Sequence, residues 1–183
     1  YEMSNQVNKK NMLIFAYGSN MCFTRLQDRV PSTTFVSVGK LFEHKIKLHK
    51  ISNADGSAKA NAFETGNADD YILGVVFEIN ANEKKALDNA EGLNYGYAEK
   101  SVTILLPNNT SVSTQIYFAN QNAINNLLIP YSWYMKYIIV GANDYGLPEN
   151  YINQLNNIPT QEDIDSTRIQ ENEEILSRHL LRN

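Results

Sequence analysis

The apolar run Leu13-Ile14-Phe15-Ala16-Tyr17 stops abruptly at Gly18-Ser19-Asn20, and few folds accept such a junction. Residues 12–17 suit a strand buried on both faces, because an unbroken apolar run leaves no polar face for water. Gly18 permits a sharp backbone turn, and Ser19 or Asn20 can cap the helix that Met21, Cys22 and Leu26 suggest. A strand, a glycine turn and a helix start leave several backbone N–H groups converging on one cavity, with the positive end of the helix dipole behind them. Such a loop is a small anion receptor. It suits a carboxylate better than a nucleotide, since neither G-x-x-x-x-G-K-[ST] nor G-x-G-x-x-G is present. An ordinary capped turn would carry the same residues.

At 183 residues the chain can fill one core, which makes a single domain the expectation. Apolar residues at 43% and charged residues at 20% give a globular composition. A net charge of −4, with no Lys/Arg cluster among aromatics, argues against a nucleic-acid partner. One cysteine excludes an internal disulfide framework and suits a reducing compartment. No apolar stretch is long enough to span a membrane and the polar N-terminus lacks a signal-peptide core, so a soluble cytoplasmic protein with no membrane partner is expected. Tyr1-Glu2 ahead of Met3 reads as an expression remnant, with Met3 or Met12 as the natural start. Residues 1–11 are accordingly expected to be disordered or foreign to the domain.

After the first helix, Val30-Pro31 ends it, and residues 33–38 and 40–51 read as two extended segments about Gly39. The second alternates: Phe42, His44, Ile46 and Leu48 on one side, Glu43, Lys45, Lys47 and His49 on the other. Residues 58–63 form a further strand, and 71–79 a stronger, central one. Residues 80–90 change period to a short helix that Asn80 or Asn82 caps and Glu91-Gly92 ends. Residues 97–106 and 111–119 make a hairpin turned by Pro107, Asn108 and Asn109. Helices follow from Tyr131 and, past Gly146-Leu147-Pro148, through Tyr151 and Leu155, and 161–183 is a charged C-terminal helix. Strands first and helices last predict an α+β fold with a small mixed, strongly curved sheet or barrel and flanking helices.

The usual catalytic sets fail in turn. His44 and His49 fall on opposite sides of one strand, His179 lies in the charged tail and Cys22 has no partner at ligand spacing, so no metal site is expected. Ser19 lies in A-Y-G-S-N, not in a G-x-S-x-G elbow, and no histidine marks itself as its base. A carboxylate is left. Glu91, at a helix end before Gly92, can reach into a cleft, where the negative end of the dipole and an apolar wall would raise its pKa toward that of a general base. Most acidic residues at helix ends are simply solvated. Eleven tyrosines, Tyr17, Tyr117, Tyr134 and Tyr137 among them, are available for an amphipathic pocket.

Three segments together resemble the γ-glutamylcyclotransferases of the cyclotransferase-like superfamily. They are Tyr17-Gly18-Ser19-Asn20 after an apolar strand, the D-x-x-E-G segment from Asp88 to Gly92, and Gly141-Ala142-Asn143-Asp144-Tyr145-Gly146-Leu147-Pro148 followed by Tyr151. The resemblance covers residues 12–155, taken as a domain of 12–160, and leaves 161–183 outside it. Met21 stands where leucine is commoner, a change nearly neutral in volume. The resemblance implies release of 5-oxoproline from γ-glutamyl amino acids or related amines, a place in glutathione metabolism, and no cofactor. It further implies that Tyr17, Gly18, Ser19, Asn20 and Met21 hold the glutamyl moiety, that Glu91 is the acid/base residue, and that Tyr117 and Tyr134 line the pocket. Whether the loop holds the α-carboxylate or the oxyanion on the γ-carbonyl stays open, as do the leaving amine (amino acid, alkylamine, ε-lysyl or antibiotic-like) and the oligomeric state, a homodimer included. Residues 53–59 and 120–131 are expected to shape the leaving-group pocket. A non-catalytic γ-glutamyl-binding or regulatory protein on the same fold is the alternative.

Overall fold

The structure is a computed structural model and describes residues 10–182. Among them the elements run β1 (Asn11–Ala16), α1 (Phe23–Arg29), β2 (Thr34–Phe42), β3 (His44–Ile51), β4 (Ala58–Glu64), β5 (Tyr71–Asn80), α2 (Lys84–Glu91), β6 (Tyr97–Leu105), β7 (Ser111–Ala119), α3 (Ser132–Asp144), α4 (Glu149–Asn156) and α5 (Ser166–Leu180). The expectation for the N-terminus falls mostly outside the described residues; Asn11 already pairs with Asn80.

The curved sheet is a closed barrel in the order β1-β5-β2-β6-β7, with β3 and β4 as a separate hairpin. Its ladders are antiparallel except the closing one, where Ile14 of β1 pairs in parallel with Gln115 of β7. Closure leaves the barrel without an edge strand, although β2–β6 and β1–β7 each join through a single residue pair. β5 lies between β1 and β2, which explains its near-continuous apolar run: Ile72, Val75, Val76 and Phe77 are fully buried. On the other side of β1, α3 presses against the turn that follows it. A Cβ on Gly141 would lie 2.6 Å from the Met21 carbonyl oxygen, so only glycine lets helix and turn approach this closely.

Three local expectations are corrected. The break between β2 and β3 falls at Glu43, in the left-handed region at φ 61°, where its carbonyl accepts from the Thr65 and Gly66 amides. Gly39 lies within β2, where a Cβ would collide with Ile104 of β6. Neither Ser19 nor Asn20 caps α1. A 3₁₀ turn (Ser19–Met21) intervenes, and α1 starts after Cys22 without a side-chain cap. Lastly, His49 is buried and not on the exposed face, because the β3–β4 register shifts between Leu48 and Lys50. One extra residue reverses the alternation beyond it. His49 then bonds Asn61 at 2.9 Å and Asn126 at 2.8 Å.

α5 docks on α1 and α3. Arg178 reaches Asp28 at 2.7 Å, Tyr137 Oη donates to Asn172 Oδ1 at 2.8 Å, and buried His179 joins Thr24 to Asp144. No described helix is long and apolar enough to cross a membrane.

Candidate active site

β1 delivers Tyr17 and Gly18 to the end of the barrel, and α2 delivers Glu91 beside them. Gly92 ends α2 in the left-handed conformation, φ 74°, and its amide donates to the Asn89 and Asp88 carbonyls, which leaves Glu91 on the last turn facing the loop. Asn20 Nδ2 donates to Glu91 Oε1 at 2.6 Å, Arg29 Nη1 donates to the same oxygen at 2.8 Å, and Arg29 also donates to Asn20 Oδ1 at 3.0 Å. This triangle fixes the carboxylate through Oε1, and Oε2 has no described hydrogen-bond partner. The apolar wall expected around Glu91 is instead an arginine and an amide.

The loop differs in detail from the expected receptor. The Met21 and Cys22 amides are spent on the Gly18 and Ser19 carbonyls, so the amides still available to a ligand are those of residues 18–20. Gly18 has φ −111°, which other residues can adopt; it is small because a Cβ would stand 3.1 Å from the Ala60 Cβ. Met21 is fully buried and packs under the loop against α3 without lining either cavity.

Two neighbouring spaces share Glu91 in their lining. The inner one, of about 40 Å³, is lined by Tyr17, Gly18, Ser19, Asn20, Ala60, Glu91, Tyr97, Tyr117 and Tyr134 among others, and has room for a carboxylate or a few waters. The outer cleft, about 770 Å³, shares Ser19, Glu91, Tyr97 and Tyr134 with it and is of ordinary ligand size. Thus seven of the eight residues that the resemblance singles out line the inner chamber.

The tyrosines are fixed by β4 and by one another. Tyr97 Oη donates to the Ala60 carbonyl at 2.5 Å, and Tyr134 Oη accepts from the Ala60 amide at 3.0 Å, keeping its own proton for a ligand. Tyr17 Oη donates to the Tyr117 carbonyl at 2.6 Å, while Tyr117 Oη donates to Asp88 Oδ1 at 2.6 Å. Burial pushes the Tyr134 hydroxyl up to about 12 and raises that of Tyr17 well above its ordinary value, so both stay protonated near neutrality.

Sequence reasoning missed the cations. Arg25, Arg29, Lys50, Lys59 and Arg168 all line the outer cleft, against Asp55, Glu91 and Glu171. Arg25 and Arg29, four apart on α1, could have been read as one helix face. Lys50 could not, because the register shift in β3 hides it, and Lys59 stands on β4 with no local signal that the strand faces a cleft. Of the two loops expected there, 53–59 contributes Asn53, Ala54, Asp55 and Lys59, while 120–131 contributes none of the described lining. α5 adds Arg168, Glu171 and Asn172. Among the described residues no three His, Cys, Asp or Glu side chains are grouped to hold a metal ion.

Lys59 Nζ sits 4.3 Å from the Tyr134 ring centre and 3.4 Å from Asp55 Oδ2. Burial pushes its pKa down to about 8, opposed by Asp55 and assisted by Arg25 and Arg168. A lysine that is harder to protonate in the folded chain favours folding as pH rises from about 8 toward its unfolded value, and that gain is absent below about 8. Urea unfolding at pH 7.5 and 10 should therefore show wild type gaining stability relative to Lys59→Met over that interval. An equal change in both proteins would contradict the burial.

A profile of the AIG2-like family matches residues 71–155. A γ-glutamylcyclotransferase of Bos taurus is 32% identical over 155 residues, 81% of this chain and 79% of that one. The Homo sapiens γ-glutamylcyclotransferase is 28% identical with the same coverage. A solved γ-glutamyl cyclotransferase structure superposes with a TM-score of 0.82 at 26% identity, over 92% of this chain and 99% of its own. The barrel and its tyrosine-lined chamber define a cyclotransferase-like fold. The chain belongs to the γ-glutamylcyclotransferase family.

Proposed function

We propose that the protein is a γ-glutamylcyclotransferase that releases 5-oxoproline from γ-glutamyl compounds, with Glu91 as the single acid/base group. The observation that carries this reading is the Glu91 carboxylate in the lining of both spaces, held through Oε1 by Asn20 and Arg29 with Oε2 open.

The substrate's own α-amine is the nucleophile, so no serine or cysteine is required. Glu91 Oε2 takes a proton from the amine as its nitrogen bonds to the γ-carbonyl carbon, closing a five-membered ring. The tetrahedral intermediate then collapses: the carbon–nitrogen bond to the leaving amine breaks, and Glu91 returns the proton to that nitrogen. Holding the chain folded can supply ~7–11 kcal/mol of the barrier in well-oriented intramolecular reactions. Tyr134 Oη and the amides of residues 18–20 are the available donors for the developing oxyanion or for the α-carboxylate. Tyr17, Tyr97 and Tyr117 wall the chamber. No step calls for a cofactor. Residues 12–160 are the unit that supplies the loop and Glu91, with α5 lining one side of the cleft. A cytoplasmic place and a role in glutathione metabolism belong to the same proposal, supported by the lone buried cysteine, Cys22, and by the family.

The test is incubation with γ-glutamyl-alanine, γ-glutamyl-ethylamine and γ-glutamyl-ε-lysine, with 5-oxoproline measured by mass spectrometry. Product is expected from at least one. Tight binding of all three without product would identify a γ-glutamyl-binding protein instead.

A further inference from the structure

We propose that Lys50 selects the leaving amine: its ammonium receives an anionic group carried by that amine, so γ-glutamyl compounds with a carboxylate on the departing side are preferred over neutral γ-glutamylamines. This rests on the cyclotransferase reading above and adds to it a specificity-determining residue.

The inner chamber is lined by no cation, whereas the outer cleft holds five. Three of these are committed: Arg29 to Glu91, Lys59 to Asp55, and Arg168 to Asp163. Arg25 has no ion pair, but it donates to Ser19 Oγ at 3.2 Å and lies 4.3 Å over the Tyr137 ring. Lys50 stands apart. It is 2% exposed, lines the outer cleft and not the inner chamber, and its side chain has no described hydrogen bond or salt bridge, its ammonium being 4.5 Å from the Tyr97 ring centre.

The position is built at a cost. The register shift after Leu48 turns Lys50 inward, across the ladder from Lys59, and takes its ammonium largely out of water. Burial lowers the Lys50 pKa, opposed by Glu91 and Asp55. An ammonium largely out of water and facing only an aromatic ring is short of hydrogen-bond partners, and a carboxylate arriving in the cleft supplies one. Because Tyr97 lines both spaces and Lys50 only the outer one, an anion on Lys50 lies beyond the inner chamber, where the leaving amine must extend if the α-carboxylate of the glutamyl group occupies that chamber.

The experiment compares kcat/KM for γ-glutamyl-alanine and γ-glutamyl-alaninamide in wild type, Lys50→Met and Lys50→Arg. Methionine keeps the apolar stem and removes the charge. Wild type should prefer the carboxylate by about tenfold or more, Lys50→Met should bring the ratio to within about threefold of unity, and Lys50→Arg should restore the preference. Equal losses on both substrates in Lys50→Met would mean packing or proton transfer and would overturn the proposal, as would a wild type indifferent to the carboxylate. N-glutaryl-alanine and its amide lack the attacking amine and cannot cyclise, so calorimetric Kd values for the same three proteins separate binding from turnover. Lys50-dependent preference in Kd with no turnover of any substrate contradicts the cyclotransferase reading and retains anion selection. Turnover with a Lys50-independent ratio contradicts anion selection alone.

Discussion

Glu91→Gln lowers kcat by about 10²–10⁴-fold, the range a positioned acid/base group supplies. The variant should fold, because the glutamine oxygen can still accept from Asn20 Nδ2 and Arg29 Nη1, now at 2.6 and 2.8 Å from Glu91 Oε1. What it loses is the capacity to take the proton from the α-amine and hand it to the leaving nitrogen. The effect should fall on kcat, with affinity for N-glutaryl-alanine changed far less, since the chamber's tyrosines and loop amides are untouched. Steady-state kinetics and calorimetry on the same preparation check this. A variant with near-normal kcat would remove Glu91 from the mechanism.

Gly141→Ala is the second large effect, and it lies far from any proton transfer. The new Cβ would meet the Met21 backbone, with its carbonyl oxygen 2.6 Å away, where no flexible side chain can yield. Overpacking costs about 1–3 kcal/mol and backbone collisions lie at the upper end. A loss of about 3 kcal/mol corresponds to a fall in Tm of roughly 6–12 °C for a chain of this size. Because Met21 ends the turn that carries Ser19 and Asn20, the displacement should also raise KM. Calorimetry with γ-glutamyl-alanine kinetics tests both; an unchanged Tm would show that α3 and the turn are not in this contact.

These two residues show what the sequence made legible. β1, the central β5, the β6–β7 hairpin and the late helices were readable because each carries its own period and punctuation. Tyr17, Gly18 and Glu91 were readable because short motifs place them at element ends. Lys50 and the inward His49 were not, since one extra residue in β3 reverses the facing of the rest of that strand, and nothing in H-K-I-K-L-H-K-I marks the shift. The break at Glu43 was concealed for a similar reason. Gly39 is the obvious turn residue, yet it serves the crowded barrel interior, while a non-glycine takes the left-handed turn. Tyr97 reads locally as a strand residue. Only its bond to the Ala60 carbonyl, 37 positions away, makes it a wall of the chamber.

Cyclisation and hydrolysis of the γ-amide bond are separated most directly by running γ-glutamyl-alanine in H₂¹⁸O and weighing the products. The account predicts alanine with 5-oxoproline free of ¹⁸O, because the bond is cleaved by the substrate's own nitrogen and water never adds to the γ-carbon. Glutamate carrying ¹⁸O in its γ-carboxyl group would show that water is the nucleophile, and would contradict the assignment of the α-amine as the attacking group.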